Sequence, residues 1–301
     1  MSYGIPYKGS KNVLAERLVA LLPSGSIFAD CSCGGGAVLQ AAALSGKFKE
    51  VRGYDVEKSV TELLDALINS PGAIDWNARR CVDKKGFYEA RDRNASLDDY
   101  VTRYSASFGF NGMEYLWGEK RIPFKKLMHD AVTLPTRKER REALRDFMTL
   151  LVSSNLPPDE LKNLCHMEQL TSLERMEELE ARMQSEPHCP VRLETRSMFD
   201  LPYEEFDVIY FDPPYSGTKG YNRRQFSQIM FTALLTALKR AGKHVFVSEY
   251  ECPCEGYTEI WSAKKQMTQK CDENRIVTER LFFSGTPDEY RALMDSSRQA
   301  C

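Results

Sequence analysis

A short buried-strand pattern that runs straight into glycines constrains this chain most: Ser26-Ile27-Phe28-Ala29-Asp30-Cys31, then Ser32-Cys33 and Gly34-Gly35-Gly36. Helical spacing resumes at once from Ala37 to Leu44, and a second strand pattern, Val51-Arg52-Gly53-Tyr54-Asp55, ends on an acid. Parallel strands need a crossover between them, so strand, glycine turn, helix and strand together open a sheet wound with helices. Helical spacing from Lys11 to Leu22, stopped by Pro23, precedes the motif, and a helix through about Ile68 follows it.

From Asn69 to about Pro158 the periodicity is irregular, broken at Pro71, Gly86, Gly112, Pro123 and Pro135 among others. Helices are predicted there near Leu97–Ser107 and Arg137–Leu151, and a charged amphipathic helix over Leu170–Met183. The strand pattern then returns in 191–194 and in Phe206-Asp207-Val208-Ile209-Tyr210-Phe211. A helix over Tyr221–Lys239, a buried strand over 244–248 and a late strand over 276–283 complete it. The expectation is an α/β fold: a doubly wound, Rossmann-like sheet with an inserted, mainly helical and loop-rich lobe. Residues 1–69 and 185–301 would form the sheet domain and 70–184 the insertion.

The formal net charge of −2 advertises no nucleic-acid partner. Its distribution is uneven, with 16 Lys/Arg against 10 Asp/Glu from Arg79 to Arg145. Charge alone favours a solvated helical face there, although a phosphate-facing lobe is compatible with it. Nine cysteines, an odd number, read as reduced thiols rather than a disulfide framework. Neither Cys31-x-Cys33 nor Cys252-x-Cys254 has the spacing of a zinc site, so no metal is expected. No apolar run approaches the roughly 18 residues of a membrane span, and the start lacks a signal-peptide pattern.

Asp212-Pro213-Pro214-Tyr215 follows directly on the strand Val208–Phe211. Two prolines stiffen the turn, fixing a carboxylate and the Pro213 carbonyl at the carboxyl end of a strand, where open α/β sheets bind ligands. Together they are acceptors for an amino group with two N–H bonds, and Tyr215 offers a face for a stacked base. The same residues would also serve as a rigid strand-to-loop turn with a capping Asp. Gly34 and Gly36 let a ligand approach the backbone, and Asp55, about 20 residues on, can hold ribose hydroxyls. These imply an adenosine-containing cofactor. The spacing Gly-x-Gly-x-x-Gly is absent, because Val38 and Leu39 follow the glycines, which tilts the reading away from a dinucleotide.

The order of these motifs resembles the Dam-like (D12 class) adenine-specific DNA methyltransferases in their alpha arrangement. Tyr7-Lys8-Gly9-Ser10-Lys11 is similar to that family's N-terminal cofactor motif, and Asp30 to Gly36 to its cofactor loop. Asp55 matches the ribose acid and Asp212–Tyr215 the catalytic tetrapeptide. Phe108-Gly109-Phe110-Asn111-Gly112 is similar to a Phe-Asn-Gly segment of the target-recognition region. Cys31-Ser32 departs from the family's Pro-Phe, and Gly9-Ser10 from its Gly-Gly. Ser197 and Met198 stand where the family often has an acid and an aromatic against the adenine of the cofactor.

The resemblance implies methyl transfer from S-adenosylmethionine to the N6 amino group of adenine in double-stranded DNA, by base flipping and direct in-line transfer. It assigns catalysis to Asp212, Pro213, Pro214 and Tyr215. Tyr7, Lys11, Asp30, Cys31, Gly34, Gly36, Asp55, Ser197, Met198 and Asp212 would hold the cofactor. DNA contacts are expected from Lys8, Asn111, Arg121, Lys125 and Lys126, within a wider pool that includes Arg79, Arg80, Lys84, Lys85 and Lys120. Asn111-Gly112 equally fits a tight turn. A cytoplasmic bacterial or phage protein is implied, with restriction-modification as a setting and a monomer plausible. Other amino acceptors (RNA adenine or cytosine), a non-catalytic DNA-binding relative and a nicotinamide oxidoreductase are the alternatives.

Overall fold

In the computed structural model, residues 2–76, 82–154, 164, 167–214, 226–266 and 276–299 are described. The chain divides into two compact units. One comprises the residues up to Gly4, Lys11–Thr61 and those from Glu186 onward; the other comprises Ile5–Ser10 and Glu62–Ser185.

In the first unit the described residues form a seven-stranded sheet, with strands β1 (Gly25–Asp30), β2 (Phe48–Asp55), β3 (Val191–Thr195), β4 (Val208–Phe211), β5 (His244–Glu249), β6 (Thr258–Gln266) and β7 (Ile276–Phe283). Their order is β3-β2-β1-β4-β5-β7-β6. The pairs from β3 to β5 are parallel, with Phe28 opposite both Val51 and Val208. β7 is antiparallel to β5 and closes a hairpin with β6. The expected α/β sheet is therefore present and mostly parallel. All four residues of β4 are buried, and Val245, Phe246 and Val247 of β5 are too, as strands covered on both faces require.

The order reverses direction at β1, which lies between β2 and β4. That places the topological switch point, where ligands settle in such sheets, at the carboxyl ends of β1 and β4. Helices α1 (Ala15–Ala20), α2 (Ala37–Leu44), α9 (Gln228–Arg240) and α10 (Pro287–Gln299) belong to this unit. The expected helix over 11–22 is shorter, since Lys11 to Leu14 make turns before it. The described part of the helix expected over 221–239 begins at Gln228, capped by the Ser227 hydroxyl accepting from the Met230 N–H. Strand β6 and helix α10 have no counterpart in the sequence reading.

The second unit is mainly helical, with α4 (Lys84–Arg93), α5 (Leu97–Ser105), α6 (Ile122–Thr133), α7 (Arg137–Ser153) and α8 (Glu168–Ser185). α3 (Lys58–Asn69) begins in the first unit and ends in this one. Capping boxes start two of these helices, Ser96 with Asp99 at α5 and Thr136 with Glu139 at α7. Among its described residues, one apolar cluster forms around Phe87, Tyr115 and Trp117 and another around Phe124, Phe147 and Leu164. Among the described residues no helix is long and apolar enough to cross a membrane.

Candidate active site

Four carboxylates stand at or just past the carboxyl ends of four adjacent strands: Asp55 on β2, Asp30 on β1, Asp212 after β4 and Glu249 on β5. The backbone explains how the first two reach the switch point. β1 ends with the Cys31 N–H donating to the Tyr210 carbonyl at 2.9 Å, and the Cys33 N–H reaches across to the Tyr54 carbonyl at 2.9 Å. The chain then turns through Gly34 and Gly36, both left-handed, and Gly36 starts α2 at φ +72°. The Asp55 side chain accepts from the Gly34 N–H at 3.0 Å and from the Glu57 N–H at 2.9 Å. Asp55 thus fastens the glycine loop while standing where the sequence expects a ribose acid.

Asp212 is fixed from two sides. Its own N–H donates to the Ser32 hydroxyl at 2.9 Å. Its carboxylate accepts the Lys11 ammonium on both oxygens, at 2.7 and 2.8 Å. Lys11 also lies 3.4 Å from Glu279 on β7. Pro213 is buried after it and Pro214 half-buried. Tyr215 lies outside the described residues, as do Arg79 and Arg80. Sequence reasoning placed Lys11 with the cofactor and left Ser32 without a role. Here Ser32 holds the backbone of the Asp212-Pro213-Pro214 turn, and Lys11 is the counter-ion of its carboxylate. Glu249 and Glu279 gave no local sequence signal, because Glu279 sits inside the late strand pattern and Glu249 just past the strand expected over 244–248.

The electrostatics are crowded. Burial pushes the Asp30 carboxyl well above the usual carboxylate range, and Asp212 and Asp55 push it the same way. Burial likewise raises Asp55, against the two backbone donors that lower it. Glu249 is held up to about 7, by burial first and by the charges of Asp212 and Glu279 after it. One oxygen of Asp30, Oδ1, is buried with no hydrogen-bond partner. A site with surplus acceptors and an orphaned acidic oxygen fits a ligand that brings positive charge and N–H donors. Burial raises the Cys31 thiol well above its ordinary value, so it serves as apolar wall rather than nucleophile. Met198 packs against the same apolar cluster as Cys31, and the Ser197 hydroxyl accepts from the Phe199 N–H at 3.2 Å.

In the second unit, Tyr7 stands 5.8 Å from the Tyr104 ring, and the Lys8 N–H donates to the Phe110 carbonyl at 3.1 Å. The Asn111 side-chain carbonyl accepts from the Met113 N–H at 2.8 Å and the Glu114 N–H at 3.1 Å. Its acceptor is therefore engaged in the turn that the sequence also allowed. Arg121 precedes α6 and is half-buried, and Lys126 is exposed. Lys125 is a correction: it is 1% exposed, with its ammonium 2.8 Å from Glu168 and beside the Trp117 ring. It holds α6 to α8 and is not presented to a phosphate.

Residues 7–142 match the family described as D12 class N6 adenine-specific DNA methyltransferase. No curated protein matches the chain. Among solved structures, the chain is similar to HI0767 of Haemophilus influenzae, described as a "putative methylase", with 13% identity and a TM-score of 0.32. That likeness covers 94% of this chain and 92% of the other. The family match takes in Tyr7, Lys11, Asp30, Gly34, Gly36, Asp55 and Asn111, and stops short of Asp212. The family that the motifs resemble and the family matched are the same: over residues 7–142 the chain carries the pattern of the D12 class N6 adenine-specific DNA methyltransferases.

Proposed function

We propose that the protein transfers a methyl group from S-adenosylmethionine to the N6 amino group of adenine in duplex DNA. The observation that carries this is Asp212, fixed by Ser32 and Lys11 beside Pro213 at the switch point of a mostly parallel sheet. The family match over residues 7–142 supports the same reading. Bound S-adenosylmethionine supplies an activated methyl group on a sulfonium.

The chain's own residues do the rest. The loop of Asp30, Gly34 and Gly36, with Asp55 on β2 beside it, would hold a cationic, adenosine-containing cofactor, with Cys31 and Met198 as its apolar wall. Tyr7, Lys11, Ser197 and Asp212 complete the cofactor-binding set that the resemblance assigns. The amino group of adenine is a weak nucleophile because its lone pair is delocalised into the ring. Asp212 and the Pro213 carbonyl would accept its two hydrogens, aim the lone pair and favour the positive charge that develops on nitrogen. Base flipping brings the target out of the stack, with Tyr215 as its platform. The unit of Glu62–Ser185 would recognise DNA, with Lys8, Asn111, Arg121 and Lys126 as candidate contacts.

Expression in a methylation-free bacterial host, followed by modification-sensitive sequencing of its DNA, tests the reading. Methylated adenines in one short sequence context are expected, and none with Asp212→Ala. Cofactor affinity in that variant should stay within about tenfold of wild type, because other residues carry most of the cofactor contact. An unmodified genome despite folded, cofactor-binding protein would overturn duplex DNA adenine as the substrate.

A further inference from the structure

We propose that Glu279 is a positioning residue for methyl transfer: it shares the Lys11 ammonium with Asp212, so that the acceptor carboxylate keeps its negative charge for the reacting amino group. The inference rests on the reading above, in which Asp212 accepts the amino hydrogens. It concerns a strand, β7, that lies outside the family match and outside every motif in the sequence.

The side chains of Lys11 and Glu279 are 4% and 3% exposed, while that of Asp212 is 20% exposed and so is the open end of the triad. A buried carboxylate in the middle of a strand is costly, and an apolar side chain of similar size there would ordinarily be at least as stable. Glu279 therefore calls for a reason beyond packing, and Lys11 supplies one. An ammonium bound to both oxygens of Asp212 alone would cancel the charge that has to meet the methylated nitrogen. With Glu279 sharing the ammonium, Lys11 draws less on Asp212, and the more open carboxylate, Asp212, is the one that can present its charge to a ligand. Glu279 also gives Lys11 a second acceptor 3.4 Å away when the amino hydrogens occupy Asp212. Glu249, held up to about 7 by burial and by these same neighbours, shows how tightly the negative charge is packed.

The test compares wild type, Glu279→Gln and Glu279→Asp on one DNA substrate, with kcat, KM for DNA, cofactor Kd and Tm measured for each. Glu279→Gln keeps the shape and removes the charge. Its kcat should fall about tenfold, less than the loss of a direct transition-state contact, while cofactor Kd and KM stay within about twofold. Glu279→Asp restores the charge and should recover most of kcat; it also carries the comparison if the Gln variant does not fold. Wild-type kcat in Glu279→Gln, or an Asp variant slower than the Gln variant, would overturn the proposal. So would a parallel loss of cofactor binding, which is the mark of a purely structural role. A wild-type protein that methylates no adenine removes the underlying reading and this inference with it. An active wild type with an equally active Glu279→Gln removes the inference alone.

Discussion

At Lys125 helix α6 turns an ammonium inward onto Glu168 of α8, while the next residue, Lys126, points to solvent. A run of basic residues in a sequence does not say which of them faces outward; α6 alternates them because successive helical positions lie about 100° apart. Removing Lys125 leaves a carboxylate without its partner and a space beside Trp117. Lys125→Ala should therefore lower stability by about 2 kcal/mol, below the range for a fully buried pair because the Glu168 side chain is 36% exposed. Lys126→Ala should change stability by less than about 0.5 kcal/mol and weaken DNA binding in a salt-dependent way. Chemical denaturation of both variants beside a DNA-binding titration checks the pair. A stable Lys125→Ala protein with impaired DNA binding would return Lys125 to the phosphate contacts.

Among the elements, those with a local signal were legible and those held by distant partners were not. The strand, glycine turn and helix around Gly34–Gly36 were readable because each residue acts on its own backbone. So was Asp212, which two prolines mark. The bonds that fix it join residues far apart in the chain, Lys11 to Asp212 and Ser32 to Asp212, and no local pattern carries them. Helices α4 and α6 were missed because Gly86 and Pro123 were read as breakers. In the structure Gly86 lies in the first turn of α4, where its N–H meets the Asp83 cap, and Pro123 opens α6, where no N–H is needed. β6 was missed as an edge strand bearing Lys264. The approach of the N-terminus to the glycine loop was equally invisible. Gly4 sits at φ +69°, its N–H donates to Gln40 on α2 at 2.8 Å, and a Cβ there would come 2.3 Å from the Gly35 carbonyl. Backbone on that side cannot give way cheaply. Gly4→Ala should destabilise the protein by about 2–3 kcal/mol and weaken cofactor binding by displacing the glycine loop. A melting curve and a cofactor titration like those of wild type would refute this close packing.

For the whole molecule, the acidic switch point links stability to pH and to ligand. Asp30, Asp55 and Glu249 are all raised in the fold, so each favours the folded state when protonated. For Glu249 that contribution is complete below its ordinary value of 4.5 and is lost as pH rises through about 7. Raising the pH from 5 to 8 should then lower Tm, and Glu249→Gln should flatten part of that fall. At pH 8 the variant should be more stable than wild type by about 1–2 kcal/mol, after allowance for solvent reaching the site. A positively charged ligand answers the same excess of negative charge. S-adenosylmethionine at 100 times its Kd should add about 2.7 kcal/mol of stability, as binding to the folded state alone requires. Because ionised carboxylates attract a cation more strongly, its Kd should tighten from pH 5 to pH 8. Thermal unfolding with and without S-adenosylmethionine across that range measures both effects. Affinity that is flat or weaker at high pH would mean that the raised carboxyls do not face the cofactor, and that the acidic loop only fastens the turn before α2.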